Sequence, residues 1–220
     1  GNSQTAIQEG ACNVSVGALT LTNNLVDDNV AIGSDALHAN TTGPGNTALG
    51  CWALTANTTA AFNTAVGFKA MFANTTGQGV AVGYNALLAN TIGANLVAIG
   101  YRALEANTSA NDNIAVGSLA LNANTTGAGN VAVGSSALGS CVSASSNTAV
   151  GQSALFHNTG AGNTALGANA LLANTTGVQS VAVGRDALVA ATTAVWNTAV
   201  GAAALSALTG GLANTAVGMG

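Results

Sequence analysis

One recurring glycine constrains this chain more than any other feature. It closes each "AVG", "AIG" or "ALG" and falls at positions 17, 33, 50, 67, 83, 100, 117, 134, 151, 167, 184, 201 and 218. Successive gaps are 16 or 17 residues, and the twelve gaps together span 201 residues. A period of this length, kept throughout, is the signature of stacked repeats, in which each unit buries its apolar face only against its neighbours. The spacing leaves no room for a separate globular domain. We divide the sequence into an N-terminal segment, residues 1–12, and a repeat domain, residues 13–220.

Each repeat is numbered here from the residue four before its glycine, so that Asn63 is position one and Gly67 position five. Position two is Thr, Val or Ile throughout, and position four is Val, Ile or Leu. Position three is Ala in twelve of thirteen repeats, Ser15 being the exception. Thr and Val favour strands, and a repeat this short cannot hold a strand and a full helix. "NTAVG" therefore reads as a short strand ended by glycine. The invariant glycine marks a corner where a Cβ would clash or need strained backbone.

Two variable positions follow, then "AL", as in Ala53-Leu54, Ala120-Leu121 and Ala137-Leu138. This "xALxA" stretch reads as a second short strand or as a single helical turn, since Ala and Leu favour helix. The repeat closes on "NTTG", whose Asn and Gly accept tight corners. Stacked Asn side chains can also bond from repeat to repeat. These readings define an all-β parallel solenoid, a flattened two-sided roll of about 13 rungs of 16–17 residues. In that picture position four and the Leu of "AL" pack together, with Val116, Leu121, Val133 and Leu138 in one core.

At this point three segments carry a resemblance: "NLVAIGYRALEA", "QSVAVGRDALVA" and "DNIAVGSLALNA". They resemble the "SVAIGxxAxA" repeats of trimeric autotransporter adhesin heads. The longer "NTAVGxxALxANTTGxG" form resembles repeats of phage tail-fibre shafts and other bacterial surface fibres. The resemblance covers residues 13–220. It implies a left-handed parallel β-roll, assembly as trimers and a place outside the cell, at a cell or virion surface. The rungs here are longer than is usual in adhesin heads.

Charge narrows the function classes. The cations are Lys69, Arg102 and Arg185, and charged residues make up 5% of the chain. That gives neither a basic nucleic-acid footprint nor a polybasic membrane patch. No apolar run approaches the roughly 18 residues of a membrane span. The opening Gly and the lack of a signal-peptide pattern read as a processed or excerpted chain. Cys12, Cys51 and Cys141 show no metal-ligand spacing; they read as idle thiols, or as partners for disulfides between chains. His38 and His157 lie about seven rungs apart, and no Asp recurs in register. Converging ionisable groups, which catalysis needs, are not in evidence. We expect no enzyme, no cofactor and no metal. Seven Asn-x-Ser/Thr sequences, Asn40, Asn57, Asn74 and Asn107 among them, read as a corner ladder or as glycosylation acceptors.

Two surface features are candidate sites. Position six reads Cys51, Phe68, Tyr84 and Tyr101 in consecutive rungs, beside Trp52, Lys69, Asn85 and Arg102 at position seven. Stacking places these rings at rung spacing, either as a stabilising ladder or as a contact for a surface glycan or receptor. The outward position after "AL" carries Phe72, Leu88, Phe156, Leu172 and Val189, a candidate contact between chains.

The leading expectation is a structural subunit of an extracellular filament or surface fibre, with a matrix or adhesion role and with itself as partner, in a homopolymer or homotrimer. In the head-to-tail version, residues 1–12, Cys12 included, complete the open rung at Asn214–Gly220 of the next copy. A receptor-binding adhesin-head or tail-fibre segment is the alternative, and an ice-binding solenoid a minor one. Neither nucleic acid nor membrane insertion is expected. The glycine corner is open to test by thermal unfolding: Gly117→Val should lower the midpoint strongly, and an unchanged midpoint would contradict the corner.

Overall fold

The computed structural model describes residues 12–220 of the chain. It falls into two compact units, Gly1–Asn111 and Asp112–Gly220. The first contains β1 (Val14–Val16), β2 (Val30–Ile32), β3 (Thr47–Leu49), β4 (Thr64–Val66), β5 (Gly79–Val82) and β6 (Leu96–Ile99). The second contains β7 (Ile114–Val116), β8 (Val131–Val133), β9 (Thr148–Val150), β10 (Thr164–Leu166), β11 (Val181–Val183), β12 (Thr198–Val200) and β13 (Thr215–Val217). Within each unit every strand pairs in parallel with the next, position against position: Thr47↔Thr64 and Ala48↔Ala65, or Ala132↔Ala149 and Val133↔Val150. Both units are all-β parallel solenoids, as the repeat predicts. The expected inter-subunit role of residues 1–12 lies outside the described residues, apart from Cys12, which is exposed.

The glycines line up where the repeat puts them. A Cβ on Gly67 would lie 2.5 Å from the carbonyl oxygen of Gly83, and one on Gly83 would lie 2.4 Å from that of Gly100. The same residues hold φ of +132° and +139°, which side chains rarely adopt. Rungs of 16 residues keep the register by losing a residue between the position-twelve Asn and the next position one, as between Asn74 and Gly79.

The second wall is neither strand nor helical turn. Residues 33–36 form a turn closed by the Ala36 N–H on the Gly33 carbonyl at 3.3 Å, with Asp35 at φ +57°. Positive φ at the third residue is the type II signature. A second turn is closed by the Asn40 N–H on the Leu37 carbonyl at 3.3 Å. Between them Leu37 itself sits at φ +49°. The pattern recurs along each unit, with positions seven and nine left-handed in every complete repeat (Lys69 and Met71, Ser136 and Leu138). Amides that no strand partners are shared between rungs: Asp35 N–H donates back to Ala18 O at 2.9 Å, and Leu37 N–H donates forward to Ala53 O at 3.1 Å.

The core is correspondingly thin. Position-three Ala, position-eight Ala and position-nine Leu are buried, including Ala115, Ala120, Leu121, Ala137 and Leu138, except at the C-terminal end, where Leu205 and Ala216 are half-buried. The expectation that position four packs with that Leu does not hold. Val116 is half-buried and Val133 exposed. The reason is the two-residue period of a strand, which puts positions two and four on one face and position three on the other. Only Ala fits opposite the Leu row, so the branched residues face outward.

Two buried rows of Asn flank this core. At position one, Asn46 Oδ1 accepts the Asn63 N–H at 2.9 Å, while its Nδ2 donates to the carbonyls of Gly43 and Ala60 at 3.0 and 2.9 Å. At position twelve, Asn57 Nδ2 donates to Asn40 Oδ1 at 2.8 Å and to Ala60 O at 3.0 Å. The first unit runs this second row unbroken from Asn24 to Asn107. In the second unit Cys141, Ala191 and Leu208 take the place of Asn. Asn174, next to Ala191, is left with a buried Oδ1 that accepts nothing. Ala191→Asn should supply the missing donor and raise stability by about 0.5–1.5 kcal/mol. Urea unfolding measures it, and a loss of stability would show that the row has no room for the amide.

Candidate surface sites on the two solenoid units

The outward face of the strands is a regular surface feature of both units. Positions two and four form two columns of Val, Ile, Leu and Thr along it. Leu49 is 43% exposed, Ile99 40%, Ile114 39% and Leu166 47%. All-parallel sheets normally have both faces covered, whereas here one face carries aliphatic side chains into solvent. The sequence placed the chain–chain contact elsewhere, at Phe72, Leu88, Phe156, Leu172 and Val189. Those side chains lie half-buried on the turn side of the rung. Asn214 and Gly220 are exposed.

The aromatic row is brought together in the first unit. Phe68 and Tyr84 stack with centroids 5.3 Å apart and planes 8° from parallel, and Tyr84 and Tyr101 follow at 5.5 Å and 15°. Rung spacing enforces this contact, because position six recurs at the same place on each turn. Trp52 joins from position seven, 5.3 Å from Phe68 and tilted 60° out of the stack. Cys51, at position six of that rung, is half-buried and contributes no ring. Lys69 places its ammonium 4.9 Å from the Trp52 centroid, 5.5 Å from Phe68 and 5.6 Å from Phe72. Arg102 lies 6.0 Å from the Tyr101 centroid and is ion-paired with Glu105, which holds its guanidinium pKa above the ordinary value. Glu105 also accepts from Asn85 Nδ2 at 3.1 Å.

At the Trp52 end the surface opens into a cleft of about 260 Å³, lined by Asp35, Trp52, Thr55, Lys69 and Phe72. Asp35, Trp52 and Lys69 are the position-seven residues of three successive rungs, and Thr55 and Phe72 hold position ten of two. The sequence reading named Trp52 and Lys69 but missed Asp35 and Thr55. Their spacing from Trp52 and Phe72 by one repeat was the available signal.

Other candidates are placed apart from any such grouping. His38 Nδ1 lies 3.2 Å from Thr22 Oγ1 and 3.1 Å from Leu19 O. His157 meets the edge of Phe156, centroids 4.7 Å apart. Cys141 occupies a position-twelve site, with its Sγ 3.7 Å from Ala144 O, and burial pushes its thiol pKa up. The glycosylation reading finds no exposed acceptor at Asn40, Asn57, Asn74 or Asn107, whose side chains are fully buried in the Asn row. Among the described residues no three His, Cys, Asp or Glu side chains group to hold a metal, and no helix is long and apolar enough to cross a membrane.

The chain matches no family model, no curated protein and no solved structure. The ring row itself is testable. Tyr84 has a stacked partner on each side, and each pair is worth about 0.5–1.5 kcal/mol. Tyr84→Ala should therefore cost about 1–3 kcal/mol in chemical unfolding. A negligible change would mean the rings stack without stabilising.

Proposed function

We propose that the chain is a non-catalytic structural subunit of an extracellular filament or surface fibre, assembled from copies of itself. The uncovered aliphatic face of the strands carries this reading. A parallel sheet that shows Val, Ile and Leu to water is completed when something apolar covers it. A second copy offers the same face, with the same repeat, and so a matching row of knobs. The resemblance to adhesin-head and fibre-shaft repeats supports covering by two further copies, a homotrimer. Head-to-tail extension belongs to the same reading, because each rung presents to the next the donors and acceptors it receives. Scarce charge fits a matrix or adhesion role at a cell or virion surface better than a soluble enzyme.

The aromatic row with its cleft favours a second reading, in which the same subunit is an adhesin-head or tail-fibre segment that contacts a receptor. The ice-binding alternative finds Thr at position two in only six of thirteen rungs, which makes an irregular row.

Sedimentation equilibrium tests the proposal. The wild-type chain should self-associate, and the double variant Leu49→Lys, Ile99→Lys should be monomeric with an unchanged circular-dichroism spectrum. A wild-type chain that stays monomeric at high concentration overturns the assembly reading. Thermal hysteresis in that monomer would turn the face over to ice.

A further inference from the structure

We infer that the cleft of Asp35, Trp52, Thr55, Lys69 and Phe72 is a subsite for one neutral hexopyranose ring of a glycan. This does not rest on self-association, since every residue of the cleft comes from one unit of one chain.

The row of stacked rings is not itself the platform. Phe68, Tyr84 and Tyr101 lie nearly parallel, so each covers its neighbour's face and leaves edges outward. Trp52 breaks the stack by its 60° tilt and lines the cleft instead. A hexopyranose presents C–H groups on one face and hydroxyls round its rim. An apolar ring flanked by a few polar groups is the general form of a site for such a ligand.

The charges in the cleft select for neutrality. Asp35 and Lys69 lie on either side of Trp52 in the stacking direction, one rung before it and one after. A carboxylate ligand drawn to Lys69 meets the like charge of Asp35. A quaternary ammonium drawn to Trp52 and Asp35 meets the Lys69 ammonium, 4.9 Å from the same ring. A hydroxylated neutral ligand satisfies both groups, because a hydroxyl donates to a carboxylate and accepts from an ammonium. Both groups have capacity left. Asp35 Oδ2 accepts from Ser34 Oγ at 2.8 Å, which leaves Oδ1 for a ligand. Lys69 has no carboxylate partner among the described residues. Thr55 Oγ1 spends its proton on Asp35 O at 3.0 Å and retains its lone pairs. The volume of about 260 Å³ admits one pyranose ring with its hydroxyls, and the cleft is open to solvent.

The experiment uses the full chain carrying Trp196→Phe, which leaves Trp52 as the sole tryptophan. Its fluorescence is titrated with the methyl glycosides of glucose, galactose, mannose and N-acetylglucosamine. Acetate and choline serve as charged probes. A saturable change with at least one glycoside is expected. Asp35→Asn should weaken it by about tenfold or more, the loss of one hydrogen bond to a charged group, with the circular-dichroism spectrum unchanged. The variant Leu49→Lys, Ile99→Lys should bind as the parent does, which separates this subsite from assembly. Three results overturn the inference: no saturable response to any glycoside, a tighter response to acetate or choline, or undiminished binding by Asp35→Asn.

Discussion

The buried asparagine amide is the group on which the rest of this architecture depends. A rung with one strand of three or four residues and a long run of turns cannot satisfy its backbone by strand pairing alone, and buried unpaired amides and carbonyls are costly. The turns leave the position-fifteen carbonyl pointing inward beside the Leu row. Asn supplies two donors and an acceptor on a short stem, which fits the narrow space flanking the core. Asn46 thus ties Gly43, Ala60 and Asn63 together, and Asn57 ties Asn40 to Ala60. With both rows in place the core need hold only Ala and Leu. Removing one Asn opens several partners at once, so the rows act as a network rather than as single bonds.

Much of this was legible in the sequence. The glycine period fixes the parallel register, and the recurrence of Asn at the corners marks the stacked rows. The aromatic succession Phe68, Tyr84, Tyr101 gives the ring row from spacing alone. Two features were misread, for one shared reason. Val and Ile at position four were assigned to the core because they are apolar, although strand alternation puts them opposite the constant Ala. The "AL" stretch was read as strand or helix by propensity, yet both Leu54 and Trp52 sit in left-handed backbone, at φ of +51° and +61°. A signal was present. Across the repeats no Val, Ile or Thr occupies position seven or nine, although such residues are frequent at position two. Branching at Cβ is what a left-handed conformation tolerates least. The absence of branched residues there marks a turn more firmly than Leu marks a helix. The cleft was only half legible, since Asp35 and Thr55 acquire meaning through their neighbours one repeat away.

Exceptions to the repeat come with their compensation. Ser15 replaces the position-three Ala just where Thr20 replaces the position-eight Ala, and the two hydroxyls hydrogen-bond across the core. Leu96 replaces a position-one Asn and is fully buried, while Gly79 one rung earlier has no side chain; a Cβ there would lie 3.1 Å from that of Leu96. Gly139 likewise leaves space for the Phe156 ring, 2.8 Å from where its Cβ would be. Close packing explains the pairing: volume added on one rung is felt by the rung beside it, about one repeat away in sequence. Asn174 beside Ala191 is a place where the compensation is missing.

The same geometry sorts positions by what they are free to do. Position three, position nine and the two Asn rows are bound by packing and hydrogen bonds, and scarcely vary. Positions two and four vary only within Val, Ile, Leu and Thr, although nothing inside the rung requires it of an outward face. Charge is scarce over the whole chain, 5% of its residues, so its absence does not by itself single this face out. Phe62 and Trp196 aside, positions six, seven and ten hold the chain's Phe, Tyr and Trp rings and its cations. They project from the turn side of the rung, away from the strand face. Side chains can therefore change there, one at a time, without disturbing either the stack or the strand face.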